Sequence, residues 1–254
     1  MPTIKLPQAE LFYALHQPAT AQQSLLLIHG AGSSHLTWPG ALRRLPDTAV
    51  YALDLAGHGR SQPPGRQTVA AYAQDVLNFI DALSLENLFV LGHSMGGAIA
   101  QQVGLAAPSA IAGLILLGTG AKLRVSPQIL AALEGDFATA VDLLNQYYWG
   151  SQPAAALMTA NRKSMLACAQ TVMLGDFSAC NQFDLRDLLP QINLPTLVVS
   201  SQHDQMTPPK FGEFLAAQLP QAEFALLAQV GHMMMLEAPE AVAQLVHAFL
   251  ASRQ

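Results

Sequence analysis

Charge is scarce in this chain of 254 residues: only 11% of it is Asp, Glu, Lys or Arg, and 12 cationic against 17 anionic side chains leave a formal net charge of −5. No basic run occurs anywhere, so the electrostatic footprint that would hold nucleic acid or an anionic lipid surface is missing. The longest apolar runs, such as 25–28 and 114–117, fall far short of the roughly 20 residues that cross a bilayer. The opening Met1-Pro2-Thr3-Ile4-Lys5-Leu6-Pro7 carries two prolines and no apolar core of a secretory signal, so a soluble, cytoplasmic protein is expected. Cysteine is equally sparse. Cys168 and Cys180 are too few and too poorly spaced for a zinc site or a disulfide framework, and are expected to be buried free thiols. No Gly-rich loop ends in Lys-Ser/Thr and no His pair stands with a carboxylate at ligand spacing, so neither cofactor nor metal is expected. Polyanions and membranes are thus not expected as partners; a small-molecule substrate is, bound by a monomer or homodimer.

What the chain has is apolar material, 51% of it hydrophobic, enough for a large core. Runs of β-forming residues at 24–28, 49–53, 88–91, 114–117 and 195–200 are apolar on consecutive positions, the mark of strands covered on both faces. A further run at 224–227 reads as the last strand. Helical stretches at 69–83, 95–107, 208–219 and 239–251 alternate with these runs, which predicts a mostly parallel central sheet flanked by helices. Residues 3–6 and 11–16 read as an antiparallel hairpin at its start. Between 122 and 189 the strand signal disappears, and helices are expected at 129–134, 137–149, 154–174 and 185–189. The strand-helix rhythm resumes at 195, so the chain divides into a core of 1–121 and 190–254 and an inserted helical cap of 122–189.

Gly92-His93-Ser94-Met95-Gly96 fits G-x-S-x-G and lies between a predicted strand and a predicted helix, where a tight turn would throw Ser94 into a strained, projecting position. A serine hydroxyl needs a base to take its proton, and the base needs an anion to fix its tautomer. His232, in Val230-Gly231-His232-Met233, and Asp204, in Gln202-His203-Asp204-Gln205-Met206-Thr207-Pro208, each follow a predicted strand, so both emerge at the carboxyl edge of the sheet, where ligands bind in such folds. Asp176, Asp184 and Asp187 are weaker rivals for the acid, since no strand precedes them. His203 and His93 read as neighbours of the site. In His29-Gly30-Ala31-Gly32, after the strand at 24–28, the backbone N–H of Ala31 would join that of Met95 as oxyanion donor.

These residues together give the chain a resemblance to the α/β-hydrolase superfamily, specifically its smaller bacterial esterase-like members with a helical cap. The resemblance runs through His29-Gly30 with Trp38, Asp54-Leu55-Ala56-Gly57-His58-Gly59-Arg60-Ser61, Gly92-His93-Ser94-Met95-Gly96-Gly97, Asp204 with Thr207-Pro208, and Gly231-His232 with Glu237-Ala238-Pro239. It implies the α/β-hydrolase fold, a Ser94, Asp204 and His232 triad, and a structural role for the 54–61 loop. Dehalogenases and epoxide hydrolases of this fold carry Asp where Ser94 stands, so those reactions are disfavoured. His93 and Ala31-Gly32-Ser33 differ from the Asn and Pro typical of the C–C bond hydrolases.

The reading that follows is a carboxylic ester hydrolase working through an acyl-enzyme, on short to medium acyl chains. Trp149 in the cap, and Met206 and Met233 beside the acid and base, are expected to line an apolar substrate pocket. A C–C bond hydrolase or lactonase with the same triad, and a ligand-sensing protein on a hydrolase scaffold, remain alternatives.

Overall fold

The computed structural model describes residues 2–106 and 109–253 of the chain. Eight strands form one sheet: β1 (Thr3–Lys5), β2 (Glu10–His16), β3 (Gln23–Ile28), β4 (Thr48–Leu53), β5 (Leu88–His93), β6 (Ile111–Leu117), β7 (Thr196–Ser201) and β8 (Ala222–Leu227). Their spatial order is β1-β2-β4-β3-β5-β6-β7-β8. The first two are the antiparallel hairpin, β2 pairs antiparallel with β4, and every later pairing is parallel. Order reverses beside β3, which lies between β4 and β5, so the crevice at a topological switch point opens above β3 and β5.

Ten α-helices complete the described chain: α1 (Gly40–Arg43), α2 (Val69–Ala82), α3 (Met95–Ala106), α4 (Pro127–Gly135), α5 (Phe137–Tyr147), α6 (Ala155–Leu166), α7 (Gln170–Gln182), α8 (Pro209–Gln218), α9 (Met234–Glu237) and α10 (Pro239–Ala251). The strands are apolar on consecutive residues because successive side chains enter different cores. Leu26, Ile28, Val90, Leu116 and Val198 pack with α2, α3 and α8. Their neighbours Leu25, Leu27, Leu91, Leu117 and Val199 pack with α1 and α10. Each fully buried aliphatic side chain contributes about 1.5–3 kcal/mol, so the two faces are held by comparable apolar layers.

Between β6 and β7 the chain is helical, as expected, through α4 to α7 and a 3-10 turn at Arg186–Gln191. The single helix expected over 154–174 is instead two, α6 and α7, separated at Ala167, Cys168 and Ala169, where Ala169 turns extended (φ −63°, ψ 135°). The cause is tertiary: Gln170 Nε2 donates to the carbonyl of Leu133 at 2.7 Å, fixing the start of α7 on the end of α4 and letting it bury Met173, Asp176 and Phe177. The helix expected over 137–149 ends at Tyr147, and the one expected over 185–189 is the 3-10 turn. Ala107, the last residue expected in α3, lies outside the described residues. Cys180 is a buried free thiol, and Cys168 is a partly exposed one.

Two glycines show how close packing shapes the turn after β5. A Cβ on Gly92 would strike the carbonyl of Gly96, and one on Gly96 would strike the carbonyl of Ile28 in β3. Gly96→Ala is therefore expected to cost about 3 kcal/mol in urea unfolding, because backbone must move to admit it. Gly135→Ala, with nothing within 4 Å of the added Cβ, should stabilise by about 0.5 kcal/mol through helix propensity. Equal effects of the two substitutions would contradict this packing.

Candidate active site

Strand β5 runs directly into α3 through Ser94, whose φ of +54° is a conformation few residues other than glycine adopt. Backbone bonds hold it there. Its N–H donates to Leu117 O at 3.0 Å, and its carbonyl accepts from Gly97 N at 2.9 Å, Ala98 N at 3.2 Å and Thr119 Oγ1 at 2.8 Å. The turn leaves Ser94 half-buried, lining a small cavity with Gly30, Ala31, His93, Tyr148, His232 and Met233. Met95 follows as the first residue of α3, so its N–H has no acceptor within the helix. The N–H of Ala31 also meets no acceptor among the described residues, and Ala31 shares both cavities that contain Ser94. One unspent backbone donor, that of Ala31, thus borders the same space as the serine, and a second, that of Met95, directly follows the serine in the chain.

Asp204 follows β7 and is almost wholly buried. Its Oδ1 accepts from the N–H groups of Met206 and Thr207, both at 2.8 Å, and its Oδ2 from Thr207 Oγ1 at 2.8 Å. The same Oδ2 lies 2.8 Å from His232 Nδ1. Burial alone would raise the Asp204 carboxyl, but the charge and hydrogen bond of His232 and the two donors of Thr207 outweigh it and hold it below the usual carboxylate range. With Nδ1 committed to an anion, the His232 nitrogen left to accept a proton is Nε2. Two of the rival acids are engaged elsewhere: Asp184 pairs with Lys122 and Arg186, and Asp176 with Gly32, His58 and Tyr72.

His93 donates from Nε2 to the carbonyl of His232 at 2.9 Å, its ring 4.6 Å from that of His232. Burial, reinforced by the nearby His232, lowers its pKa to about 3, so it stays neutral and holds the His232 loop. His29 donates from Nδ1 to Gly30 O at 2.8 Å and accepts from Leu55 N at 3.1 Å. Burial and the neighbouring His58 lower its pKa to about 4. His203 is a loop neighbour whose N–H donates to Val230 O at 3.1 Å. Met233 lines the Ser94 cavity, and Met206 lines a second one, of about 50 Å³, that also holds Ser94. Trp149 lines neither; it is buried with its indole Nε1 on Asn145 Oδ1 at 3.2 Å, and its neighbour Tyr148 is the residue that reaches the cavities.

One residue at the site is much more engaged than its sequence context suggested. Asp176, in α7, is completely buried and accepts from Gly32 N at 2.9 Å, Tyr72 Oη at 2.6 Å and His58 Nε2 at 2.7 Å. His58 Nδ1 faces the carbonyl of Ala56 at 3.1 Å. Both ring nitrogens therefore meet acceptors, which requires the imidazolium, and although burial opposes charge the Asp176 carboxylate raises the His58 pKa above its ordinary value. The loop carrying Ala31 is tied to α7 by this carboxylate. The only local signal is position: Asp176 shares a helix face with Met173 and Cys180, three and four residues away. In the 54–61 loop, Asp54 accepts from His35 N at 2.6 Å and Arg60 N at 2.9 Å and lies 2.9 Å from His35 Nδ1, which ties the loop to the segment after β3. Among the described residues no group of three or more His, Cys, Asp or Glu is arranged to hold a metal, and no helix is long and apolar enough to cross a membrane.

Removing one partner of a buried ion pair leaves the other uncompensated, so Asp176→Ala should cost about 3–5 kcal/mol in denaturant unfolding. A cost below about 1 kcal/mol would show that the carboxylate is not paired as described. Acid acts separately. His29 and His93 have folded pKa values below the 6.5 of the unfolded chain. The unfolded state then binds protons that the folded state refuses, and stability falls as pH drops from 6.5 towards 4, by on the order of 3 kcal/mol for each histidine. His58 has the opposite sign: its contribution is complete below the unfolded value and is lost as pH rises through its raised folded value. Urea midpoints measured from pH 8 to 4.5 check both, and a flat acid limb would contradict neutral His29 and His93.

Comparison with known proteins fits this architecture. The sequence model of the alpha/beta hydrolase family matches residues 25–245. The chain is 30% identical to the "Putative carbamate hydrolase RutD" of Caulobacter vibrioides, over 94% of this chain and 95% of that protein. It is 25% identical to the pimeloyl-[acyl-carrier protein] methyl ester esterase of Serratia marcescens, over 91% of this chain and 95% of that one. Its fold superposes on an esterase from Exiguobacterium antarcticum with a TM-score of 0.91 at 20% identity, covering 98% of each chain. The two-faced parallel sheet, the strained serine turn and the match over most of the sequence agree, and the chain belongs to the alpha/beta hydrolase family.

Proposed function

We propose that this protein is a serine hydrolase of carboxylic esters, with Ser94 as nucleophile, His232 as general base and acid, and Asp204 as the anion that orients His232. The observation that carries the reading is the convergence of a serine at φ +54° with a histidine whose Nδ1 lies 2.8 Å from a buried carboxylate, serine and histidine lining one cavity. Ser94 Oγ attacks the ester carbonyl while its proton passes to His232 Nε2. The tetrahedral oxyanion takes the N–H groups of Ala31 and Met95, aided by the N-terminus of α3. His232 returns the proton to the departing alcohol, leaving an acyl-enzyme. Water, deprotonated by His232, then attacks the acyl carbon; the acid leaves and Ser94 regains its proton. Asp204 stabilises the imidazolium formed in each half.

Residues 122–189 act as a cap over this chemistry. Met206, Met233, Tyr148, Phe177 and Val125 offer apolar walls around Ser94, which suits short to medium acyl chains. The relative named for a methyl ester supports an ester; the one named for a carbamate supports a second reading, in which the same serine attacks a carbamate carbonyl. Assay of matched esters and carbamates separates them by kcat/KM.

Ser94→Ala should lower kcat on p-nitrophenyl esters by about 10⁴-fold or more with folding intact, and a fluorophosphonate should label the wild-type protein at Ser94. Undiminished turnover in the variant would overturn the nucleophile assignment. Labelling followed by a burst without steady turnover would favour a ligand-sensing protein.

A further inference from the structure

Only 12 Lys and Arg occur in the chain, yet four of them, Lys122, Arg124, Arg186 and Lys210, line one cavity of about 400 Å³ between the segment leaving β6 and helix α8. Phe211 and Phe214 supply its apolar wall. Two of the cations are already answered: Asp184 lies 2.7 Å from Lys122 Nζ and 2.8 Å from Arg186 Nη2. Arg124 and Lys210 are exposed, and neither makes a hydrogen bond or ion pair among the described residues. The Lys210 ammonium rests 5.9 Å from the Phe211 ring centroid.

Arg124 also lines one of the two cavities that contain Ser94, again beside Phe211, and a further cavity of about 240 Å³ beside Met206 and Phe177. It is therefore the residue common to the serine's own cavity and to the two larger spaces beyond it. A substrate lying on Ser94 and extending outward along apolar walls would bring its far end to an unspent guanidinium, with an ammonium behind it. A planar guanidinium presents donors spaced for the two oxygens of a carboxylate, and such charge-assisted bonds are the strong ones.

We infer that Arg124 and Lys210 form a subsite for a carboxylate at the distal end of the substrate, so that the enzyme selects anionic esters over neutral esters of the same length. The inference rests on Ser94 being the nucleophile proposed above. The carboxylate can belong to the acyl side, as in the half-ester of a dicarboxylic acid, or to the alcohol side, as in an acylated hydroxy acid. Both present the same chemistry to Arg124.

The test compares kcat/KM for monomethyl suberate with methyl octanoate, and for 6-acetoxyhexanoate with hexyl acetate. At least one anionic ester should exceed its neutral counterpart by about tenfold at low ionic strength, and the advantage should shrink in about 0.5 M salt. In the Arg124→Gln, Lys210→Gln double variant the ratio should fall to about one, chiefly through KM of the anionic ester. Parity in both wild-type pairs, or an advantage that survives the double substitution, overturns the subsite. Fluorophosphonate labelling of the same preparations separates the two levels: labelled protein without anion preference removes the subsite alone, while unlabelled, folded wild-type protein removes the nucleophile assignment and the subsite with it.

Discussion

The arrangement at this site depends on one strained turn. Holding Ser94 at φ +54° costs about 1–3 kcal/mol, and the conformation persists because its surroundings over-determine it. Gly92, Gly96 and the carbonyl of Ile28 pack too closely for any side chain at either glycine, and the Ser94 carbonyl is bound three times, once by Thr119 from beyond β6. That turn ends β5, aims the serine at the crevice beside β3 and begins α3 with a free N–H. Position, exposure and electrostatics of the serine are consequences of one piece of backbone geometry, not three separate provisions.

The helices between β6 and β7 are fastened to the rest by polar groups at the rim of the site. Asp176 reaches from α7 to Gly32, His58 and Tyr72. Glu237, in α9, accepts from Gly150 N at 2.9 Å and Gly231 N at 2.8 Å, tying the end of α5 to the loop that carries His232. Met233 N adds a bond to Tyr148 O at 3.0 Å. Each fastening grips a loop beside the serine cavity, so movement of these helices and the shape of the cavity are mechanically coupled.

The sheet was legible in the sequence because strands covered on both faces leave a record of consecutive apolar residues, as in Leu25-Leu26-Leu27-Ile28, and the half-exposed edge strand β8 carries a similar run in Phe224-Ala225-Leu226-Leu227. Ser94, Asp204 and His232 could be placed at strand ends for the same reason, since each closely follows such a run. The break between α6 and α7 could not be seen, because Ala167-Cys168-Ala169 contains neither glycine nor proline and is imposed by Gln170 binding the end of α4. Asp176 escaped notice as a partner of the loop because Gly32 and His58 lie 144 and 118 residues away from it. A long-range polar contact leaves no period in the sequence. Trp149 was expected at the substrate on composition alone, and composition does not distinguish an aromatic ring that faces a cavity from one that packs behind it on Asn145.

Four buried histidines surround the site, and the partners of their ring nitrogens set them apart. His29 donates from one nitrogen and accepts at the other, so a second proton would clash with Leu55 N–H. His58 meets acceptors at both nitrogens and is held charged by Asp176. His93 gives its proton to the His232 carbonyl, and burial together with the adjacent imidazole opposes a second one. Of these four, His232 is the one that combines an anion on one nitrogen with a second nitrogen that makes no hydrogen bond among the described residues; His35 shares that combination on Asp54 but lines neither serine cavity. A residue that must take up a proton and release it within one reaction needs this combination: a partner that stabilises its cation, and a nitrogen not already committed. Of the four, His232 is the one whose ring leaves a nitrogen unspent, as the proposed base requires, and it borders the cavity where Ser94 stands.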